Sequence, residues 1–192
     1  MSMVMAPEVL VGVKVCTAFS DGPINVRLRE LGAEVESWPL PAASGEEADS
    51  AGAEAAAALP AIGIVVVDAG ESFRRSAGAA AVDRLRATID DAFVVLRSVA
   101  NASWIEPQSP GGKIVLVAPS ADDGEHATAA AAALENTART LSVEWARYGI
   151  RVVAIVPRAG ATEDSVAELI AFLASPAGDY FSGCALRPGD LA

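Results

Sequence analysis

The chain has 192 residues, with 14 Lys and Arg against 25 Asp and Glu, a net charge of −11 at pH 7 and a hydrophobic fraction of 52%. This length fits one domain with one core, and the apolar content excludes a disordered chain. So acidic a chain lacks the basic face that binds nucleic acid, and its apolar runs are interrupted by Gly, Asp or Arg before they could span a bilayer. The start lacks the basic segment and cleavage pattern of a signal peptide. Cys16 and Cys184 lie in apolar runs, which favours reduced thiols and a cytoplasmic location.

Hydrophobic patterns predict strands that alternate with helices along the chain. Strands are predicted at residues 9–17, 33–38, 62–68, 113–118, 150–156 and 184–187. Helices are predicted at residues 24–31, from 46 onward, and at 79–100, 128–147 and 165–174. Such alternation with short connections indicates one α/β domain over residues 1–192, in which helices cover both faces of a parallel sheet.

The two longest predicted helices carry apolar residues at spacings of three and four. Such stripes are typical of helix–helix seams, while Phe93, Val94, Val95 and Val143 lie off the stripes and could face the sheet. The alternative is that one wide stripe simply packs on the sheet. The seam interpretation predicts a subunit interface formed by Leu85, Ile89, Leu96, Leu134, Leu141, Trp145 and Tyr148.

Three segments resemble the short-chain dehydrogenase/reductase family. ALENTARTLSVEWARYGIRVVAIVP is similar to a helix and strand of that family, and SVAELIAFLASPAGDYFSGCALRPG is similar to its last helix and strand. IGIVVVDAG resembles its strand ending in Asn-Asn-Ala-Gly, with Asp68 at the second Asn and Gly70 at the Gly. The resemblance implies a Rossmann-like doubly wound sheet, shortened between the second and fourth strands, in dimers or tetramers built on the two long helices.

The family's glycine-rich turn is degenerate in this chain. Thr17 stands at its Thr, Ala18 at the first Gly and Gly22 at the second, and Pro23 and Ile24 end the motif. Ala18 and Ile24 add side chains where the backbone of that motif approaches phosphates, and Pro23 removes an N–H donor.

Other positions that the resemblance assigns to the cofactor are also altered. Asp21 either caps the following helix or places a carboxylate near a pyrophosphate, and the second strand ends without the usual ribose-binding acid. Thr162 matches the family threonine that contacts the nicotinamide amide. We expect no cofactor, and NAD(P) only if the chain is an active enzyme.

The family's catalytic side chains are missing from this alignment. Ala127 stands at the Tyr that donates a proton, Ala131 at the Lys, and Pro119 at the Ser, with Ser120 as its neighbour. The Asn position falls near Thr88. Because alanine can neither donate a proton nor shift a neighbour's pKa, we expect no catalysis by the family's mechanism.

The loop from Asp122 to His126 is a cluster of ionisable groups near the expected active-site mouth. Carboxylates with a histidine could bind a divalent ion or act as an acid–base pair, and Ser120 with His126 could form a nucleophile and its base. A solvated acidic loop is the simpler interpretation.

The leading functional hypothesis is a catalytically silent subunit that pairs with itself or, preferably, with an active dehydrogenase-fold chain. One alternative is an active NAD(P)-dependent oxidoreductase that uses non-standard residues. Another is a ligand-binding or regulatory module in the old cofactor cleft.

Overall fold

Six parallel strands form one sheet in the computed structural model, which describes residues 5–20, 22–38 and 46–189. The strands are β1 (Lys14–Ala18), β2 (Glu34–Ser37), β3 (Ile64–Asp68), β4 (Lys113–Val117), β5 (Arg151–Ile155) and β6 (Ala185–Leu186), in the spatial order β2-β1-β3-β4-β5-β6. The helices are α1 (Pro23–Glu30), α2 (Glu46–Ala58), α3 (Ala69–Arg75), α4 (Ala81–Ala100), α5 (Ala127–Glu144) and α6 (Glu163–Ala174). The predicted doubly wound, Rossmann-like α/β fold is confirmed.

Helices cover both faces of the sheet, so the central strands are buried on both sides. All five residues of β3 are buried, as expected of a continuous apolar run in a parallel sheet. Leu96 of α4 and Leu134 of α5 belong to one core layer, and Leu28 of α1 and Ile170 of α6 belong to the other. Within the described part of the chain, no helix is both long and apolar enough to cross a membrane.

The first strand begins later than the sequence pattern predicts. Residues 7–12 form turns, and β1 starts only at Lys14. Leu10 is fully buried in this turn segment, where its N–H donates to the Leu31 carbonyl over 2.9 Å. Its apolar character therefore serves core packing and not strand pairing.

The apolar stripes of α4 and α5 face the sheet within this one chain. Leu96, Leu134 and Leu141 are only 0%, 1% and 5% exposed, so they are wrong as interface residues. Phe93 and Val143, which the pattern assigned to the sheet side, are instead 39% and 77% exposed. The other predicted interface residues are half-buried: Leu85, Ile89, Trp145 and Tyr148.

Candidate functional site

A cleft of about 320 Å³ opens at the carboxyl edge of the sheet, and we call it the carboxyl-edge cleft. Its walls include Ser20 and Gly22 after β1, Asp68 at the end of β3, and Ser120 after β4. In the order β2-β1-β3, the chain passes from β1 to β2 on one side and then crosses back to β3 on the other side of β1. Ligands of open α/β sheets bind at such a topological switch point, which here lies between β1 and β3.

Asp68 is a buried carboxyl group in the wall of this cleft. It is 8% exposed and caps α3, since its Oδ1 accepts a hydrogen bond from the Glu71 N–H over 2.9 Å. Burial raises its pKa from 3.8 to about 6, although that hydrogen bond and the nearby Arg74 act in the opposite direction. Among the described residues, no Lys or Arg nitrogen lies within ion-pair distance of this carboxylate.

The rim of the cleft is held by a bridge through Arg74. Its Nη2 lies 2.9 Å from Glu71 Oε2, and its Nη1 lies 3.3 Å from Asp123 Oδ2. Asp123 Oδ2 also accepts from the Ser120 N–H over 2.8 Å. The first helix after β3 is thereby tied to the loop after β4.

Helix α3, which is absent from the elements predicted by the hydrophobic pattern, contributes Glu71, Phe73 and Arg74 to this region. Asp68 followed three residues later by Glu71 has the spacing of a capping box at a helix start. Gly70 obscured that signal, because glycine is a poor helix former. Its small size is needed here, since a Cβ on Gly70 would lie 3.1 Å from the Ala118 carbonyl oxygen.

The positions that the resemblance assigned to catalysis carry no ionisable side chain. Ala127 and Ala131 are 0% and 7% exposed in the first turns of α5. Thr88 is buried, and its hydroxyl donates to the Arg84 carbonyl over 2.9 Å. Pro119 lies two residues after the end of β4, and beside it Ser120 lines the cleft.

The space next to Ala127 is filled by side chains of this chain. Phe73 of α3 is fully buried against Ala127 and Ala130. The Arg84 guanidinium lies 4.1 Å from the Phe73 ring centroid and donates through Nη2 to the Glu125 carbonyl over 2.8 Å. This packing closes the region in which the aligned Tyr would stand.

The loop from Asp122 to His126 forms no metal centre with the other described residues, which hold no group of three metal-ligating side chains. Ser120 Oγ accepts from the Asp122 N–H, and the Asp123 carboxylate accepts from the Ser120 N–H, so both cap the short turn after β4. His126 has φ 66° at the start of α5, and its Nε2 lies 3.8 Å from Glu125 Oε1. The geometry fits a structural loop.

The cofactor positions are divided between strand interior and cleft wall. Thr17 and Ala18 are buried inside β1, and Asp21 lies outside the described residues. Gly22 precedes α1 and lines the cleft. Thr162 also lines it, but its Oγ1 caps α6 by accepting from the Ser165 N–H over 3.1 Å.

No family model and no curated protein matches this chain. Its fold is that of the short-chain dehydrogenase/reductases. A citronellol catabolism dehydrogenase of Pseudomonas aeruginosa matches with a TM-score of 0.70 at 22% identity, covering 97% of both chains. A Serratia marcescens short-chain dehydrogenase/reductase matches with a TM-score of 0.68 at 20% identity, covering 94% of this chain and 97% of that one. A gluconate 5-dehydrogenase of Burkholderia cenocepacia, in complex with NADP and tartrate, matches with a TM-score of 0.70 at 19% identity, covering 94% of each.

The expectation that the chain takes no cofactor is contradicted by these neighbours, because one of them was solved with NADP bound. Gly22 has open space where a Cβ would stand, which leaves the backbone at the start of α1 open to a phosphate. Pro23 supplies no N–H there, so Ile24 supplies the first one of α1. Arg158 adds a cation to a wall that also holds acids, so the start of α1 and Arg158 are the groups that fit a phosphate.

Proposed function

We propose that the chain is a catalytically silent subunit of short-chain dehydrogenase/reductase fold that binds a nicotinamide dinucleotide in the carboxyl-edge cleft. One observation carries the silence: the aligned proton-donor position holds Ala127, which is fully buried against Phe73. When bound, such a cofactor supplies or accepts a hydride. Carbonyl reduction also needs a proton, and a positioned acid contributes about 10²- to 10⁴-fold to the rate.

The residues around the cleft hold and orient a ligand without completing that chemistry. Gly22 and Ile24 would present the start of α1 to phosphate, and Arg158 would add a positive charge. Ala131 offers no cation where the aligned Lys would stand, and the Thr88 hydroxyl already donates within α4.

The proposal is tested by measuring binding and turnover on the same purified chain. We expect NADP to bind in titration calorimetry, while NADPH oxidation with ketone or oxoacyl substrates stays at background. Arg158→Gln should weaken NADP binding, whereas Arg86→Gln, which removes an exposed charge on α4, should not. Installing Tyr at Ala127 and Lys at Ala131 should not restore turnover, because Phe73 fills the space beside them.

A second candidate is an active oxidoreductase in which Asp68 donates the proton. The observation in its favour is a buried carboxyl group in the cleft wall whose pKa of about 6 lies near neutrality. Turnover by the wild-type chain that Asp68→Asn abolishes would support this candidate and overturn the silent subunit.

We also propose that the subunit associates through the outer face of α4 and α5, with a second copy or with an active dehydrogenase-fold chain. Val82 and Phe93 of α4 and Val143 of α5 are the large apolar residues exposed on these helices, and the small residues Ala129 and Ala132 are exposed on α5. Small side chains let helices approach closely, and a two-fold contact would pair this face with its own copy.

A cytoplasmic location stays a prediction.

The assembly is tested by placing a charge on that face. Val143→Asp should reduce the sedimentation mass of a complex by one subunit and leave the far-UV circular dichroism unchanged, because the side chain is 77% exposed in the single chain. Tyr180→Asp is the control, since Tyr180 is 92% exposed and lies outside α4 and α5. A wild-type chain that sediments as a monomer at tens of micromolar and retains no related chain contradicts the proposal.

A further inference from the structure

The ionisable groups in the carboxyl-edge cleft are unequally divided between the two signs of charge. Its described walls contain five acids and two arginines: Asp68, Glu71, Asp122, Asp123 and Glu163 against Arg74 and Arg158. The guanidinium of Arg74 already pairs with two of these acids, and Arg158 is exposed, where solvent screens its charge. The interior of the cleft is therefore left with excess negative charge.

Asp68 concentrates this excess at one buried point. Its carboxylate is more than nine-tenths buried, lines the cavity and accepts one backbone hydrogen bond, from Glu71. Glu71 and Glu163 act on it with the same sign of charge, while Arg74, whose guanidinium is already paired with Glu71 and Asp123, acts with the opposite sign. In a medium of low dielectric constant, a carboxylate without a paired cation attracts a positive group and repels a negative one much more strongly than in water.

The two redox forms of a nicotinamide dinucleotide differ by one charge at the ring. The oxidised ring is a pyridinium cation, and the reduced dihydropyridine is neutral, while the phosphates, riboses and adenine are the same in both. We infer that the carboxyl-edge cleft selects the oxidised dinucleotide over the reduced one, through the buried Asp68 carboxylate and its acidic neighbours. The inference rests on the proposed nucleotide binding. It implies that the fraction of subunits with bound dinucleotide rises with the ratio of oxidised to reduced dinucleotide.

The inference is tested by titration calorimetry of the full chain at pH 8 with NADP⁺ and, separately, NADPH. We expect NADP⁺ to bind at least about tenfold more tightly. Asp68→Asn should bring the ratio of the two dissociation constants close to one, because the amide keeps the shape and loses the charge. Asp83→Asn makes the same change at an exposed position on α4, outside the cleft lining, and should leave the ratio unaltered. Glu163→Gln, in the first turn of α6, provides a second variant near Asp68 and should lower the ratio severalfold.

Equal or tighter binding of NADPH overturns the inference, and so does a ratio that Asp68→Asn leaves unchanged. A second pair of probes separates this failure from failure of the proposed function. If neither dinucleotide binds, the proposed cofactor is wrong, and the charge preference is then judged with the 1-methylnicotinamide cation and neutral nicotinamide. Tighter binding of the cation in the wild type but not in Asp68→Asn supports the preference. Equal binding, or none, rejects it.

Discussion

Replacing Asp68 with Asn should stabilise the protein at neutral pH. A carboxyl group whose pKa rises from 3.8 to about 6 on folding lowers the free energy of unfolding by about 3 kcal/mol at pH 8. Asparagine has nearly the same shape and is an equally good helix cap, so the hydrogen bond from the Glu71 N–H is kept. The gain comes from removing a charge that burial disfavours.

The pH dependence of this gain has a definite sign. The folded state binds the proton more tightly than the unfolded state, so the cost of the wild-type carboxylate is absent below pH 3.8, grows as the pH rises, and is complete above about pH 6. At pH 5 it amounts to about 1.5 kcal/mol, half of its value at pH 8. The advantage of Asp68→Asn should therefore grow by about 1.5 kcal/mol between these two pH values.

Urea unfolding of wild type and variant at pH 5 and pH 8, followed by circular dichroism, measures this difference. Asp122→Asn is the matched control, because it removes an exposed carboxylate in the turn after β4 and should change the free energy of unfolding little at either pH. A variant that is less stable than wild type at pH 8, or that gains equally at both pH values, would refute the view that Asp68 is a carboxylate buried without a counter-charge.

Two further predictions concern the packing that holds the sheet edge opposite the cleft. Lys113 Nζ donates to three carbonyls at the end of α6 and lies 2.7 Å from Asp179 Oδ1, so Lys113→Met should cost about 2–4 kcal/mol in urea unfolding. Lys14→Met, which removes an exposed 3.9 Å pair, should cost less than about 0.5 kcal/mol. A Cβ on Gly112 would collide with the Trp104 ring. Gly112→Ala should therefore lower the free energy of unfolding by about 2–3 kcal/mol in wild type and by clearly less in a Trp104→Phe background. Equal losses in both backgrounds would contradict this contact.

The sequence predicted most strands because a continuous run such as Ile64 to Asp68 has few other places in a fold than the centre of a parallel sheet. It did not settle which way an apolar stripe faces. A spacing of three and four defines one side of a helix and is the same whether that side meets a sheet or another subunit, so Leu96 and Leu141 were assigned to the wrong partner. The first strand was predicted to begin too early for a related reason, because Leu10 is a buried turn residue and such a residue is as apolar as one in a strand.

The candidate site was predicted less well than the fold. The resemblance matched Asp68 to the second Asn of a strand end, Thr162 to a threonine that contacts nicotinamide, and Ser120 to the neighbour of the Ser position. In the structure these three residues line the cleft. Arg74 and Phe73 were missed because α3 was missed, and its capping signal was hidden by a glycine. The cofactor expectation failed because it rested on the added side chains and on the one N–H that Pro23 removes, whereas the other backbone N–H groups of a helix start stay in place.

Asp68 ends a strand in the cleft and also starts α3, so one carboxylate belongs to both the ligand site and a helix of only seven residues. A cationic ligand that binds this carboxylate competes with the Glu71 N–H for it. The Glu71 side chain accepts a hydrogen bond from Arg74, which also donates to Asp123 in the loop after β4. Phe73, on the same short helix, reaches the packing between α4 and α5. Hydrogen exchange at the amides of α3 should therefore respond to occupancy of the cleft, which makes this helix a natural reporter between the ligand and the outer helical layer.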